Sequence, residues 1–335
     1  MDTQNVGQAR PIDASGRLCL VELFTYQTKA HLEALKEKQP EEGAHMVNES
    51  GNFKDLDGRV AIVTGASMGL GAVMAQALAR HGVTVIGIAR NKETLETFGA
   101  QLNASLGRPA FHALAGDVST RDICERAVSF ALARFSRLDI LINNAGVGSN
   151  HARPQGFEGT LKFWNCDPDL WLEALHINAA GAFYMAHAAI PHMIERGWGR
   201  IINNTTNFHT MLGPGRSTYG PGKAALEAST LIWSKELAGT GVTSNVLIPG
   251  GPTATPIHEK SRGIALDQML KPEIMAAPTL WLASSASDGV TGMRFSAKSW
   301  DTDLPPAQAA EKAGQPAAWD LLSTRVAQPP QYFPD

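Results

Sequence analysis

The sequence predicts an α/β fold organised around an open, doubly wound parallel sheet. Short apolar runs without polar alternation recur along the chain, which is typical of strands buried on both faces. Longer segments that read as helices separate them, so strand and helix alternate. The chain has 335 residues, of which 44% are hydrophobic and 18% charged, and it can therefore bury a large core.

The alternation starts near Gly58, after a polar stretch with a single helical candidate. The predicted strands cover residues 59–64, 83–88, 110–114, 140–143, 200–203 and 243–247. The predicted helices cover residues 72–80, 92–106, 121–135, 168–196 and 219–238. This order is Rossmann-type, and we predict one domain over residues 57–295. An accessory, partly disordered extension (1–56) and a C-terminal tail (296–335) flank it.

Composition excludes several classes of protein. The net charge of −3 argues against a nucleic-acid surface, which requires a basic excess. Three scattered cysteines form neither a disulfide framework nor a zinc spacing, and His187 and His192 have no third ligand. No apolar run is long enough to span a membrane, and no secretory signal is evident. We therefore predict a cytoplasmic protein that binds no metal, membrane or nucleic acid.

A glycine-rich loop follows the first predicted strand. Gly65, Gly69 and Gly71 allow the backbone to turn sharply and to approach a ligand closely. The next helix would present its N–H groups and the positive end of its dipole, an arrangement that suits a pyrophosphate. The ligand-facing part of the loop comprises Gly65, Ser67, Met68, Gly69 and Leu70.

The same loop permits a second interpretation. Residues 65–69 match Gly-x-Ser-x-Gly, the nucleophile elbow of α/β-hydrolases, which is also a strand–turn–helix. An elbow serine, however, follows a strand in the middle of the sheet, after earlier strands have supplied an oxyanion-hole loop. Only one predicted strand precedes Ser67, so we disfavour a hydrolase.

The end of the second predicted strand indicates the type of dinucleotide. An acidic residue there would bind the ribose 2′-hydroxyl of NAD, whereas an arginine would accommodate the 2′-phosphate of NADP. The strand ends with Arg90, Asn91 and Lys92 and carries no acid. The sequence therefore favours NADP(H) over NAD(H).

Tyr219 and Lys223 lie four residues apart, which places them on one face of a helix. A cation beside a phenol favours the phenolate and would bring the tyrosine proton closer to working pH. Proline is tolerated only in the first turn of a helix, so Pro221 requires this helix to start at Tyr219.

Several motifs in this order resemble the short-chain dehydrogenase/reductase family, over about residues 56–295. The loop from Thr64 to Gly71 resembles the cofactor loop of that family, and Tyr219 with Lys223 resembles its Tyr-x-x-x-Lys pair. The other matching residues are Asp117 and Val118 after the third strand, Asn143 to Gly146 after the fourth, Asn178 in the long helix, and Pro249 and Gly250 after the sixth strand.

The resemblance implies a role for each matching residue. Tyr219 would be the general acid/base, and Lys223 would lower the tyrosine pKa and bind the nicotinamide ribose. Asn178 would hold a water that relays protons. The adenosine half of the cofactor would contact Asp117, Val118, Asn144, Ala145 and Gly146. Tyr219, Lys223, Pro249 and Gly250 are also expected to contact the cofactor. The resemblance also implies an alcohol or carbonyl substrate and a homodimer or homotetramer.

One departure from the family leaves an alternative open. The family usually carries a serine thirteen residues before the tyrosine, and this chain has Thr206. Threonine keeps a hydroxyl that can donate to a carbonyl, but its methyl group crowds the pocket. The chain is thus predicted to be either an active oxidoreductase with Thr206 as a catalytic residue or a catalytically weak cofactor-binding regulator.

Two loops complete the predicted site. Residues 257–272 are expected to form a substrate lid, because they combine glycine, proline and mixed polarity. Phe163, Trp164 and Trp171 are expected to pack beneath the loop before the long helix.

Overall fold

The computed structural model describes residues 53–255 and 266–318. Residues 1–52, the first part of the predicted lid (257–265) and the last part of the predicted tail (319–335) lie outside the described residues. The strands are β1 (Val60–Thr64), β2 (Thr84–Ala89), β3 (Phe111–Ala115), β4 (Ile140–Asn143), β5 (Gly199–Asn204), β6 (Val242–Ile248), β7 (Met293–Ser296) and β8 (Gly314–Pro316). They form one sheet in the order β3-β2-β1-β4-β5-β6-β7-β8.

The helices lie between these strands. They are α1 (Gly69–Arg80), α2 (Lys92–Leu106), α3 (Arg121–Phe135), α4 (Pro168–Leu175), α5 (Gly181–Glu195), α6 (Phe208–Leu212), α7 (Gly220–Glu236), α8 (Ala276–Ala283) and α9 (Pro306–Ala313). A π-helical turn, His176–Ala180, joins α4 to α5. Strands β1 to β7 are parallel, and β8 pairs with β7 in the antiparallel sense.

Helices cover the sheet on both faces, as its apolar strands require. All five residues of β1 and all seven of β6 are buried. Neighbouring residues of β1 point to opposite faces, so Ala61 and Val63 join one apolar cluster and Val60 and Ile62 the other. The sheet therefore sits between two cores, which is the α/β architecture that the sequence predicted.

Most predicted elements lie close to the observed ones. Helix α2, helix α3 and strand β4 have the predicted bounds, and the other predicted strands differ by one residue at either end. The predicted helix 168–196 is divided by the π-helical turn. Helix α7 begins at Gly220, with Tyr219 at its N-cap position and Pro221 in its first turn. Elements α6, α8, β7, α9 and β8 were not predicted.

Two features locate the candidate site. The order of the strands reverses between β1 and β4, and ligands of such sheets bind at the carboxyl ends of the strands near this point. The predicted site residues follow strands β1 to β6, lie in the π-helical turn, or lie at the start of α7. Among the described residues, no helix combines the length and apolarity needed to cross a bilayer.

Candidate active site

The glycine loop after β1 adopts a conformation that depends on its glycines. Gly65 and Gly69 have φ angles of 66° and 57°, in the left-handed region. A side chain at Gly71 would collide with the backbone oxygen of Gly65. Met68 occupies the N-cap of α1 and carries no side-chain oxygen that could cap the helix. The first turn of α1 therefore presents its N–H groups to the cleft, as a dinucleotide pyrophosphate would require.

The end of β4 fastens this loop to the centre of the sheet. The Asn144 side-chain amide donates to the backbone oxygens of Thr64 and Gly65, at 2.9 and 3.2 Å. The Thr64 hydroxyl accepts from the backbone N–H groups of Asn144 and Ala145, both at 3.0 Å. Asn204, at the end of β5, donates to the Asn144 oxygen at 2.8 Å. The ends of three strands are thus held in one network.

The other residues that we predicted to contact the cofactor follow β2 and β3. Arg90 follows β2 with its side chain exposed, and its nearest carboxylate is Glu173 on α4, at 4.0 Å. The Asp117 carboxylate accepts from the Ser119 N–H at 2.9 Å, and Val118 is buried. Arg90 is therefore the cation at the end of β2, and it forms a weak ion pair with Glu173 on α4.

Asn178 lies in the π-helical turn and is buried. Its side chain accepts from the Val147 N–H at 2.9 Å and donates to the Val147 oxygen at 3.1 Å. A Cβ on Gly146 would lie 2.7 Å from the Asn178 oxygen and 3.4 Å from the Lys223 nitrogen. A Cβ on Gly222 would lie 2.6 Å from the Asn178 Cβ. Both glycines are needed for α7 and the β4 loop to approach Asn178.

Lys223 is buried, with 3% of its surface exposed. Its ammonium donates to the backbone oxygen of Asn204 at 2.7 Å and lies 5.8 Å from the centre of the Tyr219 ring. Burial lowers the pKa of Lys223 to about 8. The structure thus brings the lysine beside the tyrosine, with a hydrogen bond to the end of β5.

The pKa of Tyr219 differs from our expectation. Burial raises it to about 12, while a hydrogen bond with Thr206 and the charge of Arg216 lower it. We expected Lys223 to bring the phenol closer to working pH, but desolvation outweighs the favourable contacts. Thr206, just beyond β5, is nevertheless beside the phenol, so the structure joins the two hydroxyl groups that we predicted to face the substrate.

The loop before Tyr219 contacts α4 and the segment that precedes α4. The Trp171 indole donates to the Ser217 backbone oxygen at 2.8 Å, and the Cys166 thiol lies 3.8 Å from the Thr218 hydroxyl. The prediction that Phe163 and Trp164 are packed was wrong, because 70% and 68% of their surfaces are exposed. We expected a core contact because both side chains are large and apolar, but neither side chain is buried.

Hydrogen bonds fix the turn after β6 and join the segment that follows it to the last part of the predicted lid. Gly250 has a φ angle of 92°, and the Pro249 oxygen accepts from the Lys298 N–H at 3.0 Å. The Leu270 N–H donates to the Pro252 oxygen at 2.8 Å, and the Leu270 oxygen accepts from Ala254 at 2.9 Å. Residues 256–265, within which most of the predicted lid falls, lie outside the described residues.

Sequence reasoning missed an ion pair behind the site. Glu227 on α7 and Arg294 on β7 are both buried, and the guanidinium donates to the carboxylate at 2.6 Å. Glu227 lies one helical turn after Lys223, so a charge on the buried face of α7 was the available signal. The position of Arg294 gave no comparable signal, because β7 itself was not predicted.

A comparison with known protein families identifies the family of this chain. The model of the family described as short chain dehydrogenase matches residues 59–263. The chain is a short-chain dehydrogenase/reductase. As a member of this family it is an NAD(P)-dependent oxidoreductase that acts on CH–OH groups, and the hydrolase interpretation of Ser67 is rejected.

Relatives of this short-chain dehydrogenase act on different substrates. It is 30% identical over 245 residues to a 3-oxoacyl-(acyl-carrier-protein) reductase of Thermotoga maritima, covering 71% of this chain and 95% of the relative. It is 31% identical over 247 residues to a D-threitol dehydrogenase of Mycolicibacterium smegmatis, covering 71% and 90%.

Solved structures show the same fold. A 3-ketoacyl-(acyl-carrier-protein) reductase of Brucella melitensis, complexed with NADH, is 27% identical with a TM-score of 0.62, covering 70% of this dehydrogenase and 95% of that chain. A short-chain dehydrogenase of Shigella flexneri, complexed with NADP, has a TM-score of 0.66 at 24% identity and covers 74% and 100%. The second likeness supports the fold alone.

Proposed function

We propose that this dehydrogenase interconverts a secondary alcohol and a ketone with NADP(H), using Tyr219 as general acid/base. The carrying observation is the arrangement at the start of α7. Tyr219 interacts with the Thr206 hydroxyl and lies beside the buried Lys223, at the carboxyl ends of β4 and β5. A carbonyl oxygen bound between the two hydroxyls would receive a proton from Tyr219 and a hydrogen bond from Thr206.

Residues of the cleft fit a dinucleotide. The glycine loop and the N-terminus of α1 would hold its phosphates. A Cβ on Gly71 would collide with the Gly65 oxygen, and a Cβ on Gly65 would lie 2.9 Å from the Asn144 side chain, so this turn requires glycine at both positions. Asp117, Val118, Asn144, Ala145 and Gly146 would hold its adenosine half, and Pro249 with Gly250 would border the nicotinamide. When bound, the cofactor supplies or accepts the hydride.

Lys223 and Asn178 would assist the transfer of the proton at Tyr219. Lys223 would bind the nicotinamide ribose, and its positive charge would favour ionised Tyr219 when the alcohol is oxidised. The positive charge of the oxidised nicotinamide would add to that of Lys223. Asn178 would hold a water that carries protons from Lys223 to solvent. These roles account for a lysine that is kept buried at a cost in desolvation.

The preference for NADP(H) rests on Arg90. The relatives do not decide it, because one structure holds NADH and another NADP. Arg90 follows β2 and has an exposed guanidinium that could reach a 2′-phosphate. Its contact with Glu173 would be exchanged for the phosphate, since a carboxylate 4.0 Å away at the surface binds an arginine weakly.

Arg90→Ala is expected to weaken NADPH binding by about 10- to 100-fold, because a charge-assisted hydrogen bond contributes about 1.5–3 kcal/mol. NADH binding should change little. Cofactor fluorescence titrations measure both constants, with Arg126→Ala on the surface of α3 as the control. An equal loss for both cofactors, or a wild-type preference for NADH, would contradict the assignment.

Domain limits, assembly and location complete the proposal. We assign residues 57–295 to the dinucleotide-binding domain and residues 1–56 and 296–335 to its extensions, of which the second adds α9 and β8 to the core and sheet of the domain. The protein is proposed to be cytoplasmic and to form a homodimer or homotetramer.

Its activity is tested by following the absorbance of NADPH with a panel of carbonyl compounds.

A further inference from the structure

A buried ion pair lies next to the loop that carries Thr206, and the chemistry proposed above does not use it. Arg294 and Glu227 have side chains that are 2% and 0% exposed. They come from β7 and α7, two elements that meet beneath the loop after β5. That loop carries Thr206, the hydroxyl proposed to hold the substrate carbonyl.

The two terminal nitrogens of the Arg294 guanidinium bind different partners. One donates to the Glu227 carboxylate at 2.6 Å and approaches the Thr205 hydroxyl at 3.5 Å. The other donates to the backbone oxygen of Thr206. The guanidinium carbon also lies 4.4 Å from the centre of the Phe208 ring. Arg294 therefore contacts Thr205, Thr206 and Phe208, which lie between the end of β5 and the start of α6.

Glu227 joins the same loop to the catalytic helix. Its carboxylate accepts from the Thr205 hydroxyl at 2.6 Å and from the Ala318 N–H at 3.2 Å. Glu227 lies eight residues after Tyr219 and four after Lys223, on the same rigid helix. Thr206 is thus connected to the helix that carries Tyr219 by hydrogen bonds to charged groups. Arg294 on β7 binds the Thr206 backbone oxygen, and Glu227 on α7 binds Arg294.

We propose that Glu227 and Arg294 are positioning residues that set the Thr206 hydroxyl against Tyr219 and the substrate carbonyl. The inference rests on the proposed function of Thr206. Stability alone is a poor reason for such a pair, because two buried charges lose their hydration and an apolar pair often serves folding as well. Arginine suits the task because its planar fork binds two acceptors in fixed directions, whereas lysine is a single point charge.

Arg294→Lys tests the proposal, with Arg200→Lys as a matched control. Arg200 is also a buried arginine of the sheet, paired with Asp288, but it lies at the amino end of β5 and away from the site. Both variants should lose stability. Only Arg294→Lys should lower kcat, by about 10- to 100-fold, because small misplacements of a substrate-binding group have effects of that size. NADPH affinity should stay unchanged in both.

A double-mutant cycle with Thr206→Ala separates positioning from general damage. If Arg294 acts through Thr206, adding Arg294→Lys to Thr206→Ala should lower kcat little further. Independent, multiplying effects would overturn the proposal. So would an Arg294→Lys variant whose kcat matches that of Arg200→Lys.

The outcome also distinguishes this inference from the function on which it rests. If Thr206→Ala keeps wild-type kcat, the proposed role of Thr206 fails and the positioning role fails with it. If Thr206→Ala lowers kcat and Arg294→Lys does not, only the inference is overturned. Should Arg294→Lys not fold, Glu227→Gln replaces it in the cycle, because glutamine keeps an acceptor oxygen for Arg294 without the charge.

Discussion

Tyr219→Phe is expected to lower kcat by about 10²- to 10⁴-fold, the usual contribution of a positioned general acid or base. The substitution removes one hydroxyl at the N-cap of α7 and keeps the ring. Cofactor binding should survive, because the phosphate loop and the β4 network do not depend on the phenol. Turnover and NADPH affinity, measured on the same preparation, check the result.

Tyr184→Phe on α5 provides the control. Tyr184 packs beside Phe183 and Arg121, neither of which is assigned to the site, so its hydroxyl should not affect turnover. A Tyr219→Phe variant that turns over as fast as Tyr184→Phe would refute the proton-transfer role. Loss of NADPH affinity in Tyr219→Phe would assign the tyrosine to binding.

Lys223→Met is expected to abolish most turnover while making the protein more stable at neutral pH. Burial lowers the pKa of Lys223 from 10.5 to about 8, so the unfolded chain holds its proton more tightly than the folded one. That difference opposes folding by about 3 kcal/mol at pH 7. Methionine has a similar shape and no charge, so part of this cost should be recovered.

The gain in stability should depend on pH in a defined direction. The cost of the buried ammonium is fully present below pH 8 and disappears as the pH rises from about 8 to 10.5, where both states become neutral. Denaturant unfolding of wild type and Lys223→Met across this range should converge at high pH. Lys235→Met, on the exposed side of α7, should show no such trend, and a constant difference for Lys223→Met would contradict the prediction.

The sequence predicted the parts of the fold that depend on local pattern. The bounds of α2 follow from its start at Asn91, whose side chain caps the helix by accepting from Thr94, and from its end at Gly107, which has a positive φ angle. Apolar runs defined the strands from β1 to β6. Motif order placed Tyr219, Lys223, Asn178 and Thr206, which the structure brings together.

Features set by tertiary packing escaped prediction. The π-helical turn that carries Asn178 has no local pattern that predicts it, and its Asn178 side chain contacts Val147 and Gly222, which are distant in sequence. Helix α8 is buried throughout and shows no amphipathic period. The pKa of Tyr219 depends on desolvation, which residue spacing does not reveal. Strand β7 carries Arg294, a residue that reads as surface until its partner Glu227 is known.

The central claim is that the assembled site turns over a carbonyl substrate. The most direct measurement is oxidation of NADPH by the wild-type protein with oxoacyl thioesters, sugars, steroids, quinones and small ketones. The account predicts that at least one class is reduced, faster with NADPH than with NADH, and that Tyr219→Phe suppresses the reaction. Tight NADPH binding without turnover on any member of the panel would contradict it and indicate a cofactor-binding regulator.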